Sequence, residues 1–278
     1  MSGKLYVVGT PIGNLGDFSP RAVETLSNAD FIAAEDTRVT VKLLNKFDIK
    51  KPMISYHEHN KLSRHGEIAE RILSGEICAL VTDAGMPAIS DPGEDLVRLC
   101  LQNGIEVESV PGPSALITAL AISGMPSGRF CFEGFLSMNK QSRREHLEDI
   151  KNEKRTLIFY EAPHKLAATL RDMSAALGDR EVAIIRELTK LHETIEKTTL
   201  TQAAKKYSEI SPKGEYVLII EGAEPVTAET ETSLEDACDI ARGLMKDSMP
   251  ASAAARRAAA QTGLKKGDIY KAIVEEKE

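Results

Sequence analysis

No run in this 278-residue sequence stays apolar for the roughly 18 residues that a membrane-crossing helix requires. Met1-Ser2-Gly3-Lys4 leads straight into a strand-like segment, without the apolar stretch and cleavage site of a secretory signal. Cysteine is scarce. Cys78, Cys100, Cys131 and Cys238 lie far apart with no Cys-x-x-Cys among them, which excludes a disulfide framework and predicts a reduced, cytoplasmic protein. Positive charge is in deficit, 35 Lys+Arg against 42 Asp+Glu, so the net charge is −7. That balance argues against general affinity for nucleic acid but leaves room for a local basic patch. The dinucleotide fingerprint is missing too: Gly9, Gly13 and Gly16 are spaced four and three apart, and Pro11 interrupts any early helix. No P-loop, Ser-His-Asp order or zinc spacing is present.

What is there is a globular composition. Apolar residues make up 42% and charged residues 28%, enough for a real core in one large or two modest domains. In the first half, strand-like runs at 5–8, 31–34, 53–56, 77–82 and 105–110 alternate with amphipathic stretches at 20–26, 39–47, 68–73 and 96–101. Ser19 suits an N-cap and Pro20 the first helical position. The alternation predicts βαβ units and a mostly parallel sheet. The second half changes character, with strands predicted at 130–135, 156–160, 182–186, 194–199 and 216–221 and helices near 165–177 and 202–210. Between 138 and 155, six basic and four acidic residues predict a solvated helix or loop. The polar stretch 224–233 reads as a linker. Beyond it, an alanine-rich run at 251–261 ends at Thr262-Gly263, and a second helix carries Ile269 and Ile273 on one face, a helix-turn-helix pattern. Five basic residues against Asp268 give 250–274 a net +4. This tail reads equally as a small structural appendage and as a nucleic-acid contact. The resulting division is an N-terminal lobe, 1–115, a C-terminal lobe, 116–223, and a helical tail, 234–278.

Several motifs stand at strand ends, where ligands bind in open α/β sheets. The densest is Asp83-Ala84-Gly85-Met86-Pro87-Ala88-Ile89-Ser90-Asp91-Pro92-Gly93, which mixes glycines with shape-fixing prolines. Val110-Pro111-Gly112-Pro113-Ser114-Ala115 opens a helix whose free N–H groups suit an anion, and it equally suits a Pro-initiated helix with no ligand. His57 and His59 fall on one side of a strand, but no third ligand accompanies them, so a metal is not expected. Polar clusters at 160–164 and 186–193 follow second-half strands; they are either solvated faces or the far wall of a crevice between two lobes.

Taken in order, GTPIGNLGD, EDTR, YHEHN, DAGMPAISDPG, VPGPSA, YEAPH, RELTKLHE and KGEYVLIIEG resemble the tetrapyrrole-methylase superfamily. Within it they are similar to the small-subunit ribosomal RNA cytidine-2′-O-methyltransferases, because EDTR and YHEHN are not shared by precorrin methylases or diphthine synthase. The resemblance covers roughly residues 4–222, and the terminal helix pair is similar to the tail of many of these rRNA enzymes, except that Lys265 stands where a Ser-type cap is common. It implies an α/β protein of two lobes with S-adenosylmethionine between them, a homodimer, no metal and no membrane, and ribosomal RNA of the small subunit as partner. Carried over position by position, Pro11, Asp83, Met86 and Ile89 surround the cofactor, with Ser114 and Ala115 near its methionine end. Tyr160 and Leu188 match second-lobe stretches that touch the adenosine. Asn14, Arg38, His57, His59 and Asn60 lie in the rRNA-type motifs and are expected to contact substrate. Lys190 and Glu193 are the polar residues at the implied cleft that can assist a ribose hydroxyl, and the sequence leaves the choice between them open. A precorrin-type methylase and a non-catalytic nucleic-acid-binding regulator are the competing readings. The basic tail and rRNA-type motifs speak against the first, the rigid 83–93 loop against the second.

Overall fold

The computed structural model describes residues 3–224, 234–246 and 249–275. The chain forms two compact units, 1–223 and 224–278. The first unit holds two five-stranded sheets. Strands β1 (Lys4–Val8), β2 (Phe31–Ala34), β3 (Met53–Ser55), β4 (Ile77–Val81) and β5 (Glu106–Val110) pair in the order β3-β2-β4-β1-β5, all parallel. Their crossovers are α1 (Pro20–Asn28), α2 (Thr37–Lys46), α3 (Lys61–Leu73) and α4 (Glu94–Gln102). Alternation along the strands sorts the core. Leu5, Phe31, Ala33, Cys78 and Leu80 face α3 and α4, whereas Val8, Ile32, Ala34, Ala79 and Val81 face α1 and α2. Both faces are covered, as a parallel sheet requires. Ser19 caps α1 by accepting from Ala22 N–H at 3.1 Å, with Pro20 in the first turn.

The helix α5 (Ala115–Ser123) carries the chain to the second sheet. There β6 (Phe130–Phe135), β7 (Thr156–Glu161), β8 (Glu181–Arg186), β9 (Thr194–Thr199) and β10 (Tyr216–Ile220) pair in the order β6-β7-β10-β8-β9. Only β6 and β7 run parallel; the other pairs are antiparallel. The last strand, β10, sits in the middle, buried along its whole length. Helices α6 (Lys140–Asp149), α7 (Leu166–Leu177) and α8 (Leu200–Glu209) cover one face and α5 the other. Within the charged 138–155 stretch only α6 is helical, and it buries Leu147 in the core, with Ile150 packed beside it.

Two expectations are corrected. His57 and His59 do not share a strand: β3 ends at Ser55, and both histidines lie in the turn that enters α3, their ring centroids 6.1 Å apart. That helix starts at Lys61 rather than at 68, because its polar first turns carry no apolar period. In the second unit the helices number three among the described residues: α9 (Leu234–Lys246), α10 (Ala251–Thr262) and α11 (Lys266–Glu275). Ala237, Cys238, Ala241, Ala254, Ala255, Ala258, Ile269 and Ile273 form their common core. Gly263, at φ +73°, closes α10 in the left-handed conformation and donates to the Ala259 carbonyl at 3.0 Å. Lys265 caps α11 through its carbonyl, which accepts from Asp268 and Ile269 N–H. Apart from Glu224, the expected linker lies outside the described residues.

Candidate active site

Two loops at the carboxyl ends of the first sheet are zipped together. Thr10 N–H donates to the Gly85 carbonyl at 2.9 Å and Gly85 N–H returns the bond at 3.1 Å, while the buried Thr10 hydroxyl donates to the Thr82 carbonyl. Next to this bridge, Gly9 and Gly112 meet backbone to backbone. A Cβ on Gly9 would lie 2.6 Å from Gly112 Cα and from Met86 Sδ, so the two strand ends close only without side chains. Gly112 N–H points at Met86 Sδ, 3.3 Å away. The 83–93 loop holds Ala88 and Ser90 at positive φ, +69° and +62°, a strained shape that its prolines and packing sustain.

Below these loops lies a cavity of about 510 Å³. Ile12, Met86, Ile89, Phe135, Tyr160 and Val217 give it apolar walls, and Glu35, Asp83 and Asp91 give it carboxylates. Tyr160 anchors the second lobe. Its hydroxyl accepts from Leu116 N–H at 3.0 Å, its ring packs edge-on to Phe132 and Phe135, and burial pushes its phenol up to about 12. The buried Glu161 carboxylate accepts from Ala162 N–H and from the Thr169 hydroxyl, fixing the end of β7.

The carboxylates are the electrostatic signature. Glu35 accepts from the Thr82 hydroxyl and from Asp83 N–H at 3.2 Å. Asp83 Oδ1 accepts from Asp36 N–H at 3.2 Å. None of Glu35, Asp83 and Asp91 pairs with a basic side chain among the described residues; the neighbouring Arg38 is held by Asp36, Nε at 3.0 Å and Nη2 at 2.6 Å. Burial first, then the charge of Glu35, raises the Asp83 carboxyl. The same two causes, with Asp83 adding to them, push Asp91 up to about 6 against the pull of the Thr82 hydroxyl. Carboxyls shifted in this way inside a cavity mark a candidate functional site.

The family profile described as Tetrapyrrole (Corrin/Porphyrin) Methylases matches residues 4–204. The chain belongs to this family. A second profile, the RsmI C-terminal HTH domain, matches residues 231–277 of this tetrapyrrole methylase. Proteins called "Ribosomal RNA small subunit methyltransferase I" resemble it closely. That of Synechocystis is 48% identical over 98% of both chains, and that of Escherichia coli O157:H7 is 45% identical over 99% of this chain and 96% of its own. The Thermotoga maritima protein of the same name is 49% identical over all of its own length but 80% of this one. In fold, this tetrapyrrole methylase resembles the methyltransferase CobJ (TM-score 0.61, 19% identity, 80% of this chain and 95% of that one). It also resembles diphthine synthase (TM-score 0.59, 14% identity, 80% and 90%).

Of the residues that the sequence offered for the cofactor, Asp83, Met86, Ile89, Ser114, Ala115 and Tyr160 line the cavity of this methylase. Pro11 and Leu188 do not. Leu188 is buried in the core beneath α5, and the residue next to Pro11, Ile12, supplies the wall. Ser114 makes no side-chain cap bond to α5. Asn60 spends its side chain on its own turn, accepting from His57 N–H at 2.8 Å and donating to the Ser55 carbonyl at 3.0 Å. Asn14 accepts from Gly16 N–H at 3.0 Å in an exposed loop. Sequence reasoning did not single out Glu35, Asp91, Phe135, Glu215 or Val217. All but Phe135 lie inside quoted motifs, and Glu215 and Val217 reach the wall because β10 inserts at the sheet's centre.

Lys190 stands at the rim. Its Nζ donates to Glu187 at 3.0 Å and to the cavity-lining Glu215 at 2.7 Å. Burial pulls its basicity down, but those two carboxylates outweigh it and the ammonium is held above its ordinary range. Glu193 accepts from Thr189 N–H at 2.6 Å. Gly13, at φ +153°, lets the first lobe's loop lie against this segment, where a Cβ would meet Lys190 Cγ at 2.6 Å and Thr189 Oγ1 at 2.8 Å.

Proposed function

We propose that this chain uses S-adenosylmethionine to methylate the 2′-hydroxyl of a cytidine in small-subunit ribosomal RNA, as a cytoplasmic homodimer. The observation that carries the reading is the cavity with apolar walls and the unpaired carboxylates of Glu35, Asp83 and Asp91, in a chain 45–49% identical to the rRNA methyltransferases above. The residues present suit that cofactor. The carboxylates of Glu35, Asp83 and Asp91 attract its positive charge, and Met86, Ile89 and Tyr160 offer apolar surface to its base. When bound, the cofactor supplies a methyl group already activated by its sulfonium. Alignment then contributes much of the acceleration, and the two lobes hold the reacting groups in line. The ribose hydroxyl becomes a better nucleophile as negative charge develops on its oxygen. As the oxygen takes the methyl group its proton passes to solvent water, and Lys190, kept protonated between Glu187 and Glu215, stabilises the developing charge rather than removing the proton. Glu193, committed to Thr189 N–H, shapes the segment that presents Lys190.

Arg38 suits a phosphate through its planar fork, and the His57–His59 turn suits sugar or base edges without a metal. The stretch 250–274 of the second unit, net +4, adds phosphate contacts that do not depend on sequence. The homodimer is supported by α5, which is apolar around its circumference yet leaves Ile117 and Ile122 exposed. The test is incubation with methyl-labelled S-adenosylmethionine and small subunits, free rRNA or a tetrapyrrole. Label recovered as 2′-O-methylcytidine is the expected result. Label on the tetrapyrrole, on a base or on nothing overturns the reading.

A further inference from the structure

A basic ridge leads away from the cavity along α2. Between Thr37 and His57 stand Arg38, Lys42, Lys46, Lys50 and Lys51 against one acidic residue, Asp48, in a chain whose net charge is −7. Arg38, Lys42 and Lys46 recur at four-residue intervals on α2, which puts them on one face, about 6 Å apart along the axis. All three are exposed, and so is Lys50 beyond the helix end. Elsewhere in the lobe Lys4, Lys61, Arg64, Arg71 and Arg98 each hold a carboxylate. Among the described residues Lys42, Lys46, Lys50 and Lys51 hold none. Like charges four apart on a helix repel and cost stability, so the row is a liability unless a polyanion covers it.

The ridge is tied to the cavity at one end. Arg38 grips Asp36, and Asp36 N–H donates to the cavity-lining Asp83. Beside α2 lies the edge strand β3, whose following turn carries His57 and His59. Val39 and Val41, 39% and 37% exposed, interrupt the charges with apolar surface of a kind that meets sugar faces.

We propose that this ridge is the track for the substrate's phosphate backbone, with Lys42, Lys46, Lys50 and Lys51 binding successive phosphates while Arg38 sets the register at the cavity. The proposal rests on the rRNA reading above and adds where the strand lies. Such contacts position the strand and carry no sequence information.

The test is a salt titration of rRNA binding by the full chain and by its Lys42→Ala/Lys46→Ala/Lys50→Ala/Lys51→Ala variant. Alanine keeps the helix propensity, and none of the four side chains is in the core. The slope of log affinity against log salt should flatten by about 0.7 for each phosphate left without its lysine, about 3 for all four, with cofactor affinity unchanged. The pairs Lys42→Ala/Lys46→Ala and Lys50→Ala/Lys51→Ala should each give about half of that effect, which keeps the test open if the quadruple variant folds poorly. Lys205→Ala, exposed on α8, should change nothing. Wild-type slope and affinity in the ridge variants refute the track while leaving rRNA methylation standing. Unchanged binding to naked RNA with weakened binding to intact subunits assigns the ridge to an acidic protein surface and refutes it equally. A wild-type chain that methylates no rRNA fails the underlying reading instead, in a separate assay.

Discussion

Replacing Asp91 by asparagine should make the protein more stable and a poorer cofactor binder at once. The carboxyl is held at about 6 instead of its ordinary 3.8, chiefly by burial and then by Glu35. Fully realised, that gap costs about 3 kcal/mol at neutral pH; water entering the open cavity reduces it to about 1–2 kcal/mol. The sign follows from proton counting. Between roughly pH 4 and 6 the folded state holds the proton that the unfolded chain has released, so stability falls as pH rises through that window and stays low above it. Asp91→Asn removes the penalty, and at pH 7.5 its melting temperature should rise by about 2–8 °C. At pH 4 the advantage should nearly vanish. The same charge favours a sulfonium over a neutral thioether. At an effective dielectric of about 20, one charge up to about 10 Å away is worth at least about 1.5 kcal/mol, or tenfold. Calorimetry should therefore find S-adenosylmethionine weakened about tenfold relative to S-adenosylhomocysteine. Thermal unfolding from pH 4 to 8 decides the matter: a gain that does not depend on pH, or a loss, refutes the electrostatic account.

Three further outcomes follow from the same geometry. Lys190→Gln should lower kcat by about 100-fold with cofactor affinity intact, since the ammonium stands at the rim; a raised KM with normal kcat would mean that it only binds RNA. Gly13→Ala forces a side chain into Lys190 and Thr189 at a positive φ, so urea unfolding should show a loss of about 1–3 kcal/mol, and an unchanged midpoint would contradict the close approach. Truncation after Ala223 should leave cofactor affinity unchanged and flatten the salt dependence of RNA binding, whereas identical slopes would make the second unit a structural appendage.

Much of the first lobe was legible because its strands are short apolar runs between amphipathic helices, with Ser19 and Pro20 marking a helix start. Asp83 and Tyr160 could be found by the rule that ligands meet strand ends. Periodicity could not reveal strand direction, so the antiparallel pairing of β7, β10 and β8 was not foreseen. It also could not place Glu215 and Val217, which join the cavity wall through that pairing. Leu188 carried the right neighbours in sequence, yet its side chain turns into the core. The helix α9 was not singled out, although Ala237, Cys238, Ile240, Ala241, Leu244 and Met245 recur at helical spacing on the face that packs into the core.

The central position of β10 has a consequence for how the chain is made. The first sheet has all five strands once Val110 is available, but the second lacks its middle strand until Ile220. At translation rates of about 5–20 residues per second, the intervening 110 residues take roughly 5–20 s. Over the last 34 of those residues, once β8 is complete at Arg186, β7 and β8 each present an unpaired edge where β10 will lie, and exposed edges of this kind recruit strands from other chains. The second lobe is therefore the part of a nascent molecule most in need of a chaperone, and slow synthesis between β8 and β10 would lengthen its exposure.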